Sequence, residues 1–104
     1  MNDSFHGRLY IAVIGDIKDS RNHADRNGLQ LRLQAALDGV NLEYGKQIAS
    51  RFMITLGDEF QGLFTAGPGA IFAVDRIERE LYPVKIRFGI GVGKITTDID
   101  AAMP

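Results

Sequence analysis

The sequence contains no cysteine and no tryptophan. Without thiols there is no disulfide framework, no thiol nucleophile and no thiolate metal site. Long apolar runs are missing too: the longest, Leu9 to Ile14, has six residues, whereas a membrane helix needs about twenty. Met1 to His6 is polar with one Phe and lacks the apolar centre of a secretory leader. Nor is there an excess of one charge, since 12 Lys and Arg oppose 13 Asp and Glu for a net charge of −1. That balance disfavours gripping nucleic acid by counterion release. These absences predict a cytoplasmic protein with no membrane partner. What is present is globular in kind, with 45% hydrophobic and 24% charged residues. A chain of 104 residues buries about two-thirds of its surface, which is enough for one core, so residues 1–104 read as a single domain.

Hydrophobic spacing gives the element order. Leu9 to Ile14 is apolar without alternation, as in a strand covered on both faces, and stops at Gly15-Asp16. Asp19 and Ser20 are candidate caps for the helix that follows. Leu29, Leu33, Ala36, Leu37, Val40 and Tyr44 form one helical stripe, with Gln30, Arg32, Gln34, Asp38 and Asn41 on the wet side. Phe52 to Leu56 and Glu59 to Phe64 read as two strands joined by the tight turn Gly57-Asp58. Pro68 suits the first turn of a second helix, with Ile71, Val74, Ile77 and Leu81 in its stripe and Tyr82-Pro83 at its end. Val84, Ile86, Phe88, Ile90 and Val92 then alternate with Lys85, Arg87, Gly89, Gly91 and Gly93 as a last strand. Lys94-Ile95-Thr96-Thr97 could open a further strand. Phe52, Phe60, Phe64, Phe72 and Phe88 fit core positions, His6 and His23 the surface, and Arg76, Glu78, Arg79 and Glu80 a solvated helix face.

The order β-α-β-β-α-β predicts an α+β, ferredoxin-like palm: an antiparallel sheet in the order 4-1-3-2 with both helices on one face. A right-handed crossover makes the first and second strands parallel. The end of the first strand must then lie beside the turn between the second and third. Topology alone thus brings Asp16 to Asp58 and Glu59, about 40 residues away in sequence. Two carboxylates about 5 Å apart repel by roughly 3 kcal/mol at an effective dielectric near 20. A divalent cation between them relieves this, and a donor set of hard oxygens without His or Cys suits Mg²⁺ or Mn²⁺. The carbonyl of Ile17 could add an oxygen. Lys18, Arg21 and Lys94 are candidates for phosphate oxygens, and Gly57, Gly89 and Gly91 would leave room for the ligand. Turn and cap chemistry accounts equally for each acidic segment taken separately. Both readings stand at this point.

Ile14-Gly15-Asp16-Ile17-Lys18-Asp19-Ser20 resembles the first metal-binding segment of class III nucleotidyl cyclases. Leu56-Gly57-Asp58-Glu59-Phe60 resembles both the Gly-Asp hairpin of those enzymes and the acidic turn of diguanylate cyclases, except that Leu56 stands where the latter have a glycine. The resemblance implies Asp16 and Asp58 as metal carboxylates, with Glu59 as the substitute under the diguanylate pattern. More closely, Ile14 to Arg21, Ile54 to Leu63 and Arg87 to Gly91 together resemble the bacterial SatD family, over about Leu9 to Asp100. That family is associated by name with secretion and acid tolerance, and its function is poorly defined. The resemblance implies the N-terminal palm of a longer architecture in which a DNA-binding segment follows, so nucleic acid would be met only through residues outside this chain. Three functions are implied: divalent-cation-dependent binding of a nucleotide or phosphate ligand in a regulatory role, a cyclase-type enzyme working as a homodimer, or a non-catalytic interaction domain.

Overall fold

The structure, a computed structural model, describes residues 9–19 and 23–94. Four strands, β1 (Leu9–Ile17), β2 (Ile48–Leu56), β3 (Glu59–Phe64) and β4 (Ile86–Lys94), form one sheet in the order β2-β3-β1-β4. Helices α1 (Arg26–Glu43) and α2 (Gly67–Leu81) pack on one face. This is the predicted βαββαβ palm, with every neighbouring pair antiparallel and β1 parallel to β2. The strand expected to open beyond Lys94 lies outside the described residues.

The side-chain period of two sorts β1 into two faces. Val13, Gly15 and Ile17 are buried beneath the helices, while Ile14 and Asp16 look out on the helix-free side. The core is built around three fully buried rings, Phe52, Phe60 and Phe64, with Phe52 and Phe64 edge to face at 5.6 Å between centroids. Phe88 meets Phe60 edge-on at 5.9 Å. Gly15 makes room for this packing, because a Cβ there would lie 2.3 Å from Cζ of Phe60.

Helix α1 buries Leu29, Leu33, Ala36, Leu37 and Val40, the stripe read from the sequence. Its cap is Asp25 rather than Asp19 or Ser20: the Asp25 carboxylate accepts from the amide of Gly28 at 2.9 Å. Asp19 instead sits at φ 54°, in the left-handed region that Asp tolerates in turns. Asn41 is not a wet-side residue. Its amide donates to the carbonyl of Phe52 at 2.9 Å and accepts from the Phe52 amide at 2.7 Å. Phe52 falls where the β2–β3 ladder is irregular, so the side chain replaces bonds the strand partner does not make.

Helix α2 corrects the sequence reading in two places. Its buried residues are Gly69, Ala70, Ala73, Ile77 and Leu81, whereas Ile71 and Phe72 are 66% and 57% exposed. Small residues let the helix approach the sheet closely, and the contact stripe rotates onto them. Arg76 is not on a solvated face either. It pairs with Glu43 and Glu80 and donates to the carbonyl of Gly39 at 3.2 Å, tying α2 to α1. Hydrogen bonds and charge from those two glutamates raise the Arg76 pKa above its ordinary value.

Two glycines should separate by environment. Gly15→Ala forces a methyl group into the Phe60 ring and is expected to cost about 1–3 kcal/mol by overpacking. A Cβ on Gly89 meets no described residue within 4 Å, so Gly89→Ala should lie within about 0.5 kcal/mol of the parent or gain slightly. Urea midpoints of both variants check the pair, and equal effects would contradict the packing described.

Candidate functional site

Antiparallel pairing on both sides of β1 fixes what surrounds Asp16. On β3 its Cα partner is Glu59 and on β4 it is Arg87. Cross-strand partners share a face, with Cβ atoms about 5 Å apart, so Glu59, Asp16 and Arg87 form one row on the helix-free side. The turn Gly57-Asp58 closes the same end of the sheet, with Gly57 at φ 61°, a conformation glycine adopts without strain. There the amide of Ile17 donates to the carbonyl of Asp58 at 3.3 Å. The convergence expected from topology is therefore present in the backbone.

The carboxylates are held in different ways. Arg87 grips Asp16 with two parallel bonds, Nε to Oδ1 at 3.2 Å and Nη2 to Oδ2 at 2.9 Å. The two-bond fork fixes the geometry of this exposed pair more closely than a single contact would, and the bonds from Asp16 raise the Arg87 pKa above its ordinary value. Asp58 faces the helix side. Gln30 of α1 donates to its Oδ1 at 3.2 Å, and Nη2 of Arg26 lies 3.6 Å from its Oδ2. The Asp58 side chain is only 10% exposed, against 33% for Asp16. Glu59, exposed at the start of β3, has no side-chain hydrogen bond or ion pair among the described residues. Asp16 thus shares its face with Glu59 rather than with Asp58.

The other sequence candidates divide. Ile17 is buried by its side chain at the end of β1. Lys18 follows, its amide donating to the carbonyl of Lys85 at 2.9 Å. Lys18, Asp19, His23, Pro83, Val84 and Lys85 line an open hollow at this end of the sheet. Arg21 lies outside the described residues. Lys94 pairs with Leu9, seven positions along β1 from Asp16, or roughly 23 Å at about 3.3 Å per residue. It does not join the cluster, because antiparallel β4 begins at the acidic end and runs away from it. Gly89 and Gly91 pair with Ile14 and Ala12 and floor the helix-free face beside the acidic row. Next to them Ala12, Ile14, Met53, Gln61 and Leu63 bound a shallow, mainly apolar hollow of about 160 Å³.

Sequence reasoning missed Arg87, Arg26 and Gln30. Arg87 carried a usable signal: it alternates onto the glycine face of β4, and an antiparallel β4 must start where β1 ends. Arg26 and Gln30 carried none, since their approach to Asp58 depends on where α1 is capped.

The donors fit a hard divalent cation in chemistry, all being oxygen. Among the described residues no group of three or more His, Asp or Glu side chains is gathered as a ready cage. A pair of carboxylates completed by water and ligand phosphates is the arrangement Mg²⁺ favours. Among the described residues no helix is long and apolar enough to cross a membrane.

No curated protein matches the chain in sequence. In structure it is similar to the guanylate cyclase domain of RhGC from Catenaria anguillulae in complex with GTP, at TM-score 0.67 and 16% identity, over 94% of this chain and 64% of that one. It is also similar to the catalytic core of a rhodopsin-guanylyl cyclase with converted specificity in complex with ATPalphaS, at TM-score 0.64 and 18% identity, over 83% and 56%. The chain thus spans between half and two-thirds of the length of those cyclase chains, and at such identity the likeness concerns the fold. Residues 10–104 match the family model of SatD, so a palm of cyclase type with paired acidic loops is here the fold of a member of the SatD family.

Proposed function

We propose that this domain binds a nucleotide or related phosphate ligand through Mg²⁺ or Mn²⁺, in a regulatory and cytoplasmic role. The observation that carries the reading is the opposition of Asp16 and Glu59 on one face of the sheet, at the end closed by Asp58. Asp16 and Glu59 are the carboxylates that reach one cation with least rearrangement. The ion would screen their repulsion and bridge them to phosphate oxygens. Lys18 and Lys85, meeting at the start of β4, supply positive charge beyond the acidic row for the rest of the phosphate chain. The open surface over Gly89 and Gly91 leaves space for the remainder of the ligand. The likeness to cyclase domains bound to GTP and ATPalphaS supports a nucleotide.

Thermal melting of the chain with Mn²⁺ and nucleoside triphosphates tests this. Ligand at about 100 times its Kd should stabilise by about 2.7 kcal/mol, a shift of roughly 10 °C or more for a domain of this size. Asp16→Asn and Glu59→Gln should abolish the shift. Loss in Asp58→Asn but not in Glu59→Gln would instead assign the second ligand position to Asp58. No shift with any cation and nucleotide would end the proposal.

A second reading, a cyclase-type enzyme acting as a homodimer, draws on the same fold likeness. Turnover requires groups that stabilise a transition state as well as carboxylates that hold a metal. Incubation with labelled ATP or GTP and Mn²⁺ separates the two: binding without pyrophosphate release leaves a binding domain, and release lost in Asp16→Asn establishes the enzyme.

A further inference from the structure

Arg87 occupies both oxygens of Asp16, the carboxylate on which the proposed cation depends. We infer that Arg87 is a releasable lock, an internal substitute for the cation that holds Asp16 against a free divalent ion. The inference rests on the reading of Asp16 and Glu59 as cation ligands.

Three features support it. The contact is built into the strand register, because Arg87 is the direct Cα partner of Asp16 and the fork forms without reaching across the sheet. Arg87 engages Asp16, its neighbour in the row, while Glu59, on the strand beyond, has no side-chain partner among the described residues. Finally, among the described residues the Arg87 side chain is 67% exposed, and on the same face a Cβ at Gly89 would meet none of them within 4 Å.

The contrast with Arg76 is instructive. The Arg76 side chain is 29% exposed, and its guanidinium lies against Gly39 and is held by two glutamates and a carbonyl, as a structural tie should be. Arg87 combines a two-bond grip with freedom to swing away. A lone cation must displace it and meets a row whose charge is already half neutralised, so occupancy of the site becomes coupled to whatever releases Arg87.

The test is Mn²⁺ binding by calorimetry on the whole chain without nucleotide, comparing the parent with Arg87→Gln and Arg87→Lys. Arg87→Gln should bind Mn²⁺ roughly three- to tenfold more tightly. Arg87→Lys keeps the charge but loses the planar fork and should fall between. A second readout is the Arg87 Nε–H signal by NMR, which should lose its protection both in Asp16→Asn and on saturation with Mg²⁺. Equal or weaker Mn²⁺ binding by Arg87→Gln overturns the lock, and Arg87→Lys matching the parent reduces it to a general charge effect and overturns it too. If the parent binds Mn²⁺ with nucleotide yet Arg87→Gln gains nothing, the lock alone fails. If neither protein takes Mn²⁺ under any condition, the cation reading fails with it.

Discussion

The contact between Phe60 and Gly15 sets the terms for everything at the acidic end of the sheet. Because Gly15 carries no Cβ, the tip of the Phe60 ring occupies the space a Cβ would take, and Phe88 packs edge-on against that ring. Gly15 is the Cα partner of both phenylalanines, so three strands are pinned in register at one residue. The next residue along β1 is Asp16, which must face the other way and meet Glu59 on one strand and Arg87 on the other. A slip of one position would exchange the faces of every side chain, placing Asp16 under the helices and opening the aromatic core. The stability of the core and the layout of the charged row are therefore one constraint.

Electrostatics explains why that row contains an arginine. Two carboxylates facing each other at the end of two central strands repel, and the fold has to answer that repulsion in the absence of any ligand. Arg87 is the answer on the open face, and Asp58 has a separate one on the helix side in Gln30 and Arg26. Neither answer is packed into the core, since Arg87 and Arg26 are 67% and 50% exposed. Exposed ion pairs of this kind are weak and screened by salt. A divalent ion held between carboxylates and phosphates carries twice the charge at shorter distance, and displacing an exposed arginine is a smaller obstacle than displacing a buried one.

Much of this was legible in the residues. Period and turn chemistry gave the βαββαβ order, and handed crossover geometry brought Asp16 to Asp58 and Glu59 across about 40 residues. Which carboxylate faces Asp16 was not legible, because the face of a residue at a two-residue turn depends on register, and the register here is set by a ring filling a glycine's space. Lys94 was misplaced for a related reason: it was read as near the site because it follows the last strand, yet antiparallel pairing puts the start of β4 there. Direction decides, and it makes Arg87 the cation of that strand. The stripe of α2 went astray at Ile71 and Phe72 because size was weighed above fit. Gly69, Ala70 and Ala73 permit the close approach that two larger side chains would prevent. Asn41 looked solvated because an amide on a helix face ordinarily is, and only the irregular ladder at Phe52 creates a use for it.

The helix-free face poses the remaining physical question. Gly89 and Gly91 sit mid-strand, where each glycine is less favourable than alanine by roughly 0.5–1 kcal/mol. At Gly15 the reason for glycine is internal, since Phe60 fills the space. At Gly89 and Gly91 a Cβ would touch no described residue within 4 Å, so the described residues supply no steric reason for them. They lie opposite Ile14 and Ala12, next to the row of Glu59, Asp16 and Arg87 and beside the apolar hollow bounded by Met53 and Leu63. A strand that omits side chains toward open solvent keeps its backbone accessible at some expense of stability. The same face thus carries both the charged row of Glu59, Asp16 and Arg87 and a stretch of strand without side chains beside it.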